Sequence, residues 1–79
     1  MSRPAADATV LALDLGGTQV RAALVRHDGT RVGRSASATP VAAGPAAIVE
    51  TCISTLHRAR ETAAREDAAA ERRLVGIGV

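Results

Sequence analysis

Two apolar runs parted by a pair of glycines restrict this chain more than any other feature. Thr9-Val10-Leu11-Ala12-Leu13-Asp14-Leu15 is almost wholly apolar and stops at Gly16-Gly17. Its length and glycine boundary predict a central strand buried on both faces. Residues 20–26 resume the apolar character and end at His27-Asp28-Gly29. An Asp-Gly pair between two such runs is a short hairpin signal, and the type I′ turn it favours needs positive φ at both central residues. Residues 30–38 read as a third, more polar strand, with Arg31, Arg34, Ser35 and Ser37 marking it as an edge. Three antiparallel strands in succession make a meander.

Thr39-Pro40-Val41-Ala42-Ala43-Gly44-Pro45 breaks the pattern, and Pro45 suits the first turn of a helix, where a missing N–H costs nothing. Ile48, Cys52, Leu56, Ala59 and Ala63 then recur on one helical face, with Val49 and Ile53 widening the stripe. Cys52 on that stripe reads as a buried core thiol. Glu50, Ser54, His57, Arg58 and Glu61 fall outside it. Residues 65–73 either continue this helix or fray from it. Leu74-Val75-Gly76-Ile77-Gly78-Val79 reads as a buried strand, which a crossover helix would return parallel to an earlier one. The predicted order is β-β-β-α-β with a mixed sheet, in the α/β class. Residues 1–8 read as a flexible tail, and residues 9–79 as the structured part. An apolar strand at Val79 with no turn after it is expected to mark a truncation point, its edge prone to association.

Composition narrows the function. The apolar content is 47 %, but it rests on eighteen Ala against eight Val, six Leu and three Ile, with no aromatic residue, so the core is expected to be marginal. All ten basic residues are Arg, so no lysine exists for a P-loop. One Cys permits no internal disulfide, and with only His27 and His57 beside it makes no structural zinc site. Gly76 and Gly78 lie inside an apolar strand pattern, which is the wrong place for a dinucleotide fingerprint. Neither a signal peptide nor a membrane span is visible, so a cytoplasmic protein with no membrane partner is expected. The net charge is +2, with no aromatic residue for base stacking, and no nucleic-acid partner is expected.

Asp14-Leu15-Gly16-Gly17-Thr18 carries the chemistry. Adjacent glycines at a strand end allow a tight turn whose backbone N–H groups meet an anion without a Cβ in the way. Thr18 adds a hydroxyl, and Asp14 is placed to hold a hydrated Mg²⁺ beside phosphate. The bland alternative is a plain hairpin turn with Asp14 satisfying local amides.

The stretch from Leu11 through Asp14-Leu15-Gly16-Gly17-Thr18-Gln19-Val20-Arg21 to Val25, then Asp28-Gly29, resembles the opening of the ROK family of sugar kinases and repressors, within the actin-like ATPase (ribonuclease H-like) superfamily. The Val75-Gly76-Ile77-Gly78-Val79 strand resembles it too, while residues 39–73 match only in layout. The resemblance implies a partial actin-like ATPase domain, using ATP and Mg²⁺ to phosphorylate a hexose. It implies that Gly16, Gly17 and Thr18 touch the nucleotide's phosphates, that Asp14 sits beside the Mg²⁺–ATP complex through water, and that Gln19 makes a weaker contact through its amide. The family's catalytic Asp, its sugar-gripping Glu and His, its zinc motif, its second phosphate loop and its adenosine pocket have no counterpart here. The chain alone is therefore expected to be inactive, with nucleotide, hexose and any oligomer contacts completed by further sequence. Two other readings are a ROK-type transcriptional regulator, disfavoured by the short stretch before Thr9, and a non-catalytic truncated fragment.

Overall fold

The computed structural model describes residues 8–79, so most of the expected N-terminal tail lies outside the described residues. Seven elements follow in order: β1 (Thr9–Leu15), β2 (Gln19–Val25), β3 (Arg31–Ala38), a 3-10 turn (Val41–Ala43), α1 (Pro45–Glu66), α2 (Ala68–Arg72) and β4 (Leu74–Gly78). The sheet order is β3-β2-β1-β4, with β1–β2 and β2–β3 antiparallel and β4 parallel to β1. This is a small α/β domain with a mixed four-stranded sheet. It has two layers, because α1 lies over β3 and β2 on one face and no described residue forms a layer on the other. The thinnest dimension, 17 Å, fits one sheet plus one helix.

That single covered face alters two expectations. β1 is central in the sheet but buried on one side only: Leu11 is in the core, while Val10 on the opposite face is exposed. β4 is an edge strand rather than a buried one, with Val75 and Ile77 60 % and 63 % exposed, since α1 sits over the far half of the sheet. The core is Leu11, Ala22, Leu24, Val32, Ala59, Ala63 and Ala70, with Leu13, Leu56 and Leu74 packed against it.

The α1 stripe is narrower than its apolar pattern suggests. Val49 and Ile53 are at least half exposed, Cys52 is half-buried, and Thr55 is fully buried instead. The reason lies in β3. The helix presses so close to Gly33 that a Cβ there would lie 2.3 Å from the Ala59 carbonyl oxygen and 2.5 Å from the Ala63 nitrogen. Gly33 has φ +67°, and its N–H donates to Glu66 Oε2 at 2.9 Å. Contact that tight points small residues at the sheet and swings Val49 and Ile53 toward solvent. Along the same seam Ser37 Oγ and Thr55 Oγ1 share a 2.9 Å hydrogen bond, Thr55 donates to the Thr51 carbonyl at 2.6 Å, and Arg58 donates to Ser37.

Gly44, at φ +92°, turns the chain into α1, which opens on Pro45 as expected. The helix breaks at Asp67 and restarts as α2. Asp67 is the N-cap, its Oδ1 accepting from the Ala70 N–H at 3.1 Å. Thr9 then ties α2 to β1: its N–H donates to the Arg73 carbonyl and its buried hydroxyl to the Ala70 carbonyl at 2.8 Å. The β2–β3 connection is a three-residue loop in place of the type I′ turn. Gly29 N–H donates to the Arg26 carbonyl, Arg26 N–H to the Thr30 carbonyl, and only Gly29 takes positive φ. Asp28 does not take positive φ, and its carboxylate accepts the Thr30 N–H at 2.9 Å.

Candidate functional site

The β1–β2 hairpin brings Asp14, Gly16, Gly17, Thr18 and Gln19 to one exposed end of the sheet. Leu15 pairs with Val20, so the chain reverses within Gly16 to Gln19, and Gly16 N–H donates to the Gln19 carbonyl at 2.9 Å. Neither Gly16 nor Gly17 takes a positive φ, so this is not one of the primed turns that two-residue hairpins favour. The loop is held from outside instead. Thr39, at the end of β3, donates its hydroxyl to the Gly16 carbonyl at 2.9 Å and its N–H to the Thr18 carbonyl at 3.0 Å. Thr39 was not visible as a site residue in the sequence, where it reads only as the start of a Pro-containing break.

These bonds decide which polar groups remain for a ligand. Gly16 N–H is committed to Gln19, so its amide is not a free donor as the motif suggests. The N–H groups of Gly17 and Thr18 meet no acceptor among the described residues. A Cβ on Gly17 would touch nothing within 4 Å, which leaves open approach to those two donors. The Thr18 hydroxyl makes no hydrogen bond among the described residues. The tip thus offers two backbone donors and a hydroxyl, with the loop carbonyls tied back by Thr39. An anion meets donors there and few opposing dipoles.

Asp14 and Gln19 flank the tip. Asp14 is exposed at the end of β1 and pairs across strands with Arg21, yet the two form no ion pair. Arg21 turns its Nε and Nη2 to Gln19 Oε1 at 3.2 and 3.0 Å, leaving the Gln19 amide nitrogen as the part able to donate outward. Among the described residues no group of three or more His, Cys, Asp or Glu side chains is placed to hold a metal ion. Asp14 is therefore a single carboxylate: it suits a cation that keeps its water and is held mainly by a ligand's phosphates. No helix among the described residues is long and apolar enough to cross a membrane.

Comparison of the chain with protein-family models, with curated proteins and with solved structures finds no match.

Proposed function

We propose that the chain supplies the first phosphate-contacting hairpin of an ATP-dependent sugar kinase of the ROK type, as the N-terminal part of an actin-like ATPase domain working in the cytoplasm. The observation that carries this reading is the free pair of N–H groups at Gly17 and Thr18, beside the Thr18 hydroxyl, on an exposed hairpin tip that starts at Asp14. The strand order supports it, since a three-stranded meander followed by a helix and a strand parallel to the first is the layout the resemblance implies.

The residues fit a nucleotide's phosphates in a limited way. Gly17 and Thr18 would donate to a phosphate oxygen, and Asp14 would steady the water around its magnesium ion. When bound, the nucleotide would supply the phosphoryl group. Phosphoryl transfer also needs a base and a positioned hydroxyl, and stabilising the donor's phosphates alone does not lower the barrier enough for turnover. The hexose site and the base have no counterpart among these residues, so the chain by itself is expected to bind and not to catalyse.

Calorimetric titration with Mg²⁺–ATP tests the reading. Weak binding is expected, with Kd of the order of 1 mM, equivalent to about 4 kcal/mol. Gly17→Val, which closes the approach to the donors, should abolish it, and Asp14→Asn should remove its dependence on Mg²⁺. Equal binding by wild type and Gly17→Val contradicts the assignment, as does sugar phosphorylation by the 79-residue chain alone.

A further inference from the structure

The face of the sheet turned away from α1 holds a second arrangement, independent of the hairpin tip. Arg31 and Arg34 are three residues apart, and in a regular strand their side chains would point to opposite faces. They do not here. Val25 pairs with Arg31 and Leu24 with Val32, but Ala22 pairs with Ser35, so Ala23 alone faces Gly33 and Arg34. This β-bulge, made at Gly33 with its φ of +67°, restores Arg34 to the face that carries Arg31. Both line a groove of about 470 Å³ on that face, a volume typical of small-molecule sites. Its floor is Ala12, Ala23, Val25 and Ala36.

The two guanidinium groups are unspent. Neither Arg31 nor Arg34 makes a hydrogen bond or ion pair with a described residue. Carboxylates elsewhere in the fold are engaged: Asp67 with Arg26, Glu71 with Arg60, Glu66 with the Gly33 N–H, and Asp28 with the Thr30 N–H. Asp14 and Arg21 also line the groove, at its other end, with Arg21 turned to Gln19. Arg21 lies four positions from Val25, the partner of Arg31, and two from Ala23, which faces Arg34, so that end is about 13 Å from Arg31 and about 7 Å from Arg34 at roughly 3.3 Å per residue. An anion held toward Arg31 stands farthest from the Asp14 charge, whereas a long polyanion would run into it. The groove also has no aromatic side chain on which bases could stack, which argues against nucleic acid.

We propose that this groove binds a small organic phosphate with an apolar body. The phosphate dianion sits between the Arg31 and Arg34 guanidinium groups, each of which presents paired N–H donors matched to phosphate oxygens. The apolar body lies on the alanine floor.

Phenyl phosphate is the probe, titrated into the ¹⁵N-labelled protein while the arginine Nε–H signals and the backbone amides of residues 31–36 are followed. The expected result is saturable shifts confined to Arg31, Arg34 and their neighbours. Arg31→Gln/Arg34→Gln should weaken binding at least tenfold with an unchanged far-UV spectrum, and Arg72→Gln should leave it unchanged. Inorganic phosphate should bind at least threefold more weakly, since it cannot use the floor. Binding by the double variant within twofold of wild type overturns the proposal. So do equal affinities for the two phosphates, shifts confined to Gly16–Gln19, and preferential binding of a single-stranded oligonucleotide. Loss of Mg²⁺–ATP binding at the hairpin tip leaves these outcomes untouched.

Discussion

Gly33→Ala is the substitution for which the structure sets the largest effect with the smallest chemical change. The added Cβ would stand 2.3 Å from the Ala59 carbonyl oxygen, 2.5 Å from the Ala63 nitrogen and 2.7 Å from the Ala63 Cβ. Two of those three atoms are backbone, so no side chain can swing aside. A left-handed conformation costs a non-glycine residue about 1–2 kcal/mol, and overpacking adds about 1–3 kcal/mol. The expected loss is therefore about 2–5 kcal/mol. A domain of this size has about 4–12 kcal/mol of total stability at 0.05–0.15 kcal/mol per residue. At about 4–8 °C per kcal/mol, the midpoint should fall by roughly 8–40 °C. Thermal and urea unfolding followed by far-UV circular dichroism measure it.

Two other glycines separate the causes. Gly29 has φ +87° with open space around its Cβ position, so Gly29→Ala carries strain without a clash and should cost about 1 kcal/mol. Gly17 has neither, and Gly17→Ala should stay within about 0.5 kcal/mol of wild type. If Gly33→Ala proves no worse than Gly29→Ala, the helix is not seated on β3 as described, and the reasoning from close approach fails.

Four further outcomes follow from the packing and the edges. Thr55→Val removes a buried hydroxyl bonded to Thr51 and Ser37 and should destabilise by about 0.5–1.5 kcal/mol in urea unfolding; a stabilised variant would mean those bonds add nothing. Asp67→Ala deletes the α2 N-cap and should cost about 1 kcal/mol, with faster hydrogen exchange at the Ala70 amide. Hydrogen bonds from the Thr30 side chain, then its backbone N–H, hold the Asp28 carboxyl below its ordinary value of 3.8. Its support for the β2–β3 loop is thus present above the ordinary carboxylate range and lost as pH falls through the lowered value. Thr30→Val should raise that pKa in a carboxyl NMR titration. Val75→Lys or Ile77→Lys on the open β4 edge should raise the concentration at which the protein aggregates in light scattering, at little cost in stability, because both positions are exposed.

The chain elements were legible because their signals are local. Glycine pairs, Asp28-Gly29, the apolar runs and Pro45 all act through backbone geometry within a few residues, and the strands and helix start within one residue of where those signals put them. What escaped the sequence depends on the second partner of a contact. Gly33 looks like an ordinary interruption of an edge strand until Ala59 and Ala63 arrive above it. Val49 and Ile53 satisfy the helical period yet face solvent, because the helix rolls to bring its alanines against that glycine. Thr9 and Thr55 are buried because each hydroxyl bonds to a residue distant in sequence, Thr9 to the Ala70 carbonyl and Thr55 with Ser37 Oγ. At the hairpin tip the chain reversal itself was visible from Gly16-Gly17. The bracing by Thr39 was not, since it joins positions 23 residues apart.

The central claim is that the hairpin tip receives phosphate through Gly17 and Thr18. Amide-resolved NMR titration of the ¹⁵N-labelled chain with Mg²⁺–ATP tests it most directly. The Gly17 and Thr18 amides are expected to shift first and furthest, saturating together, while the Gly16 amide, already bonded to Gln19, moves less. Shifts confined to residues 31–36 on the open face, or no saturable shift at the tip, would contradict it.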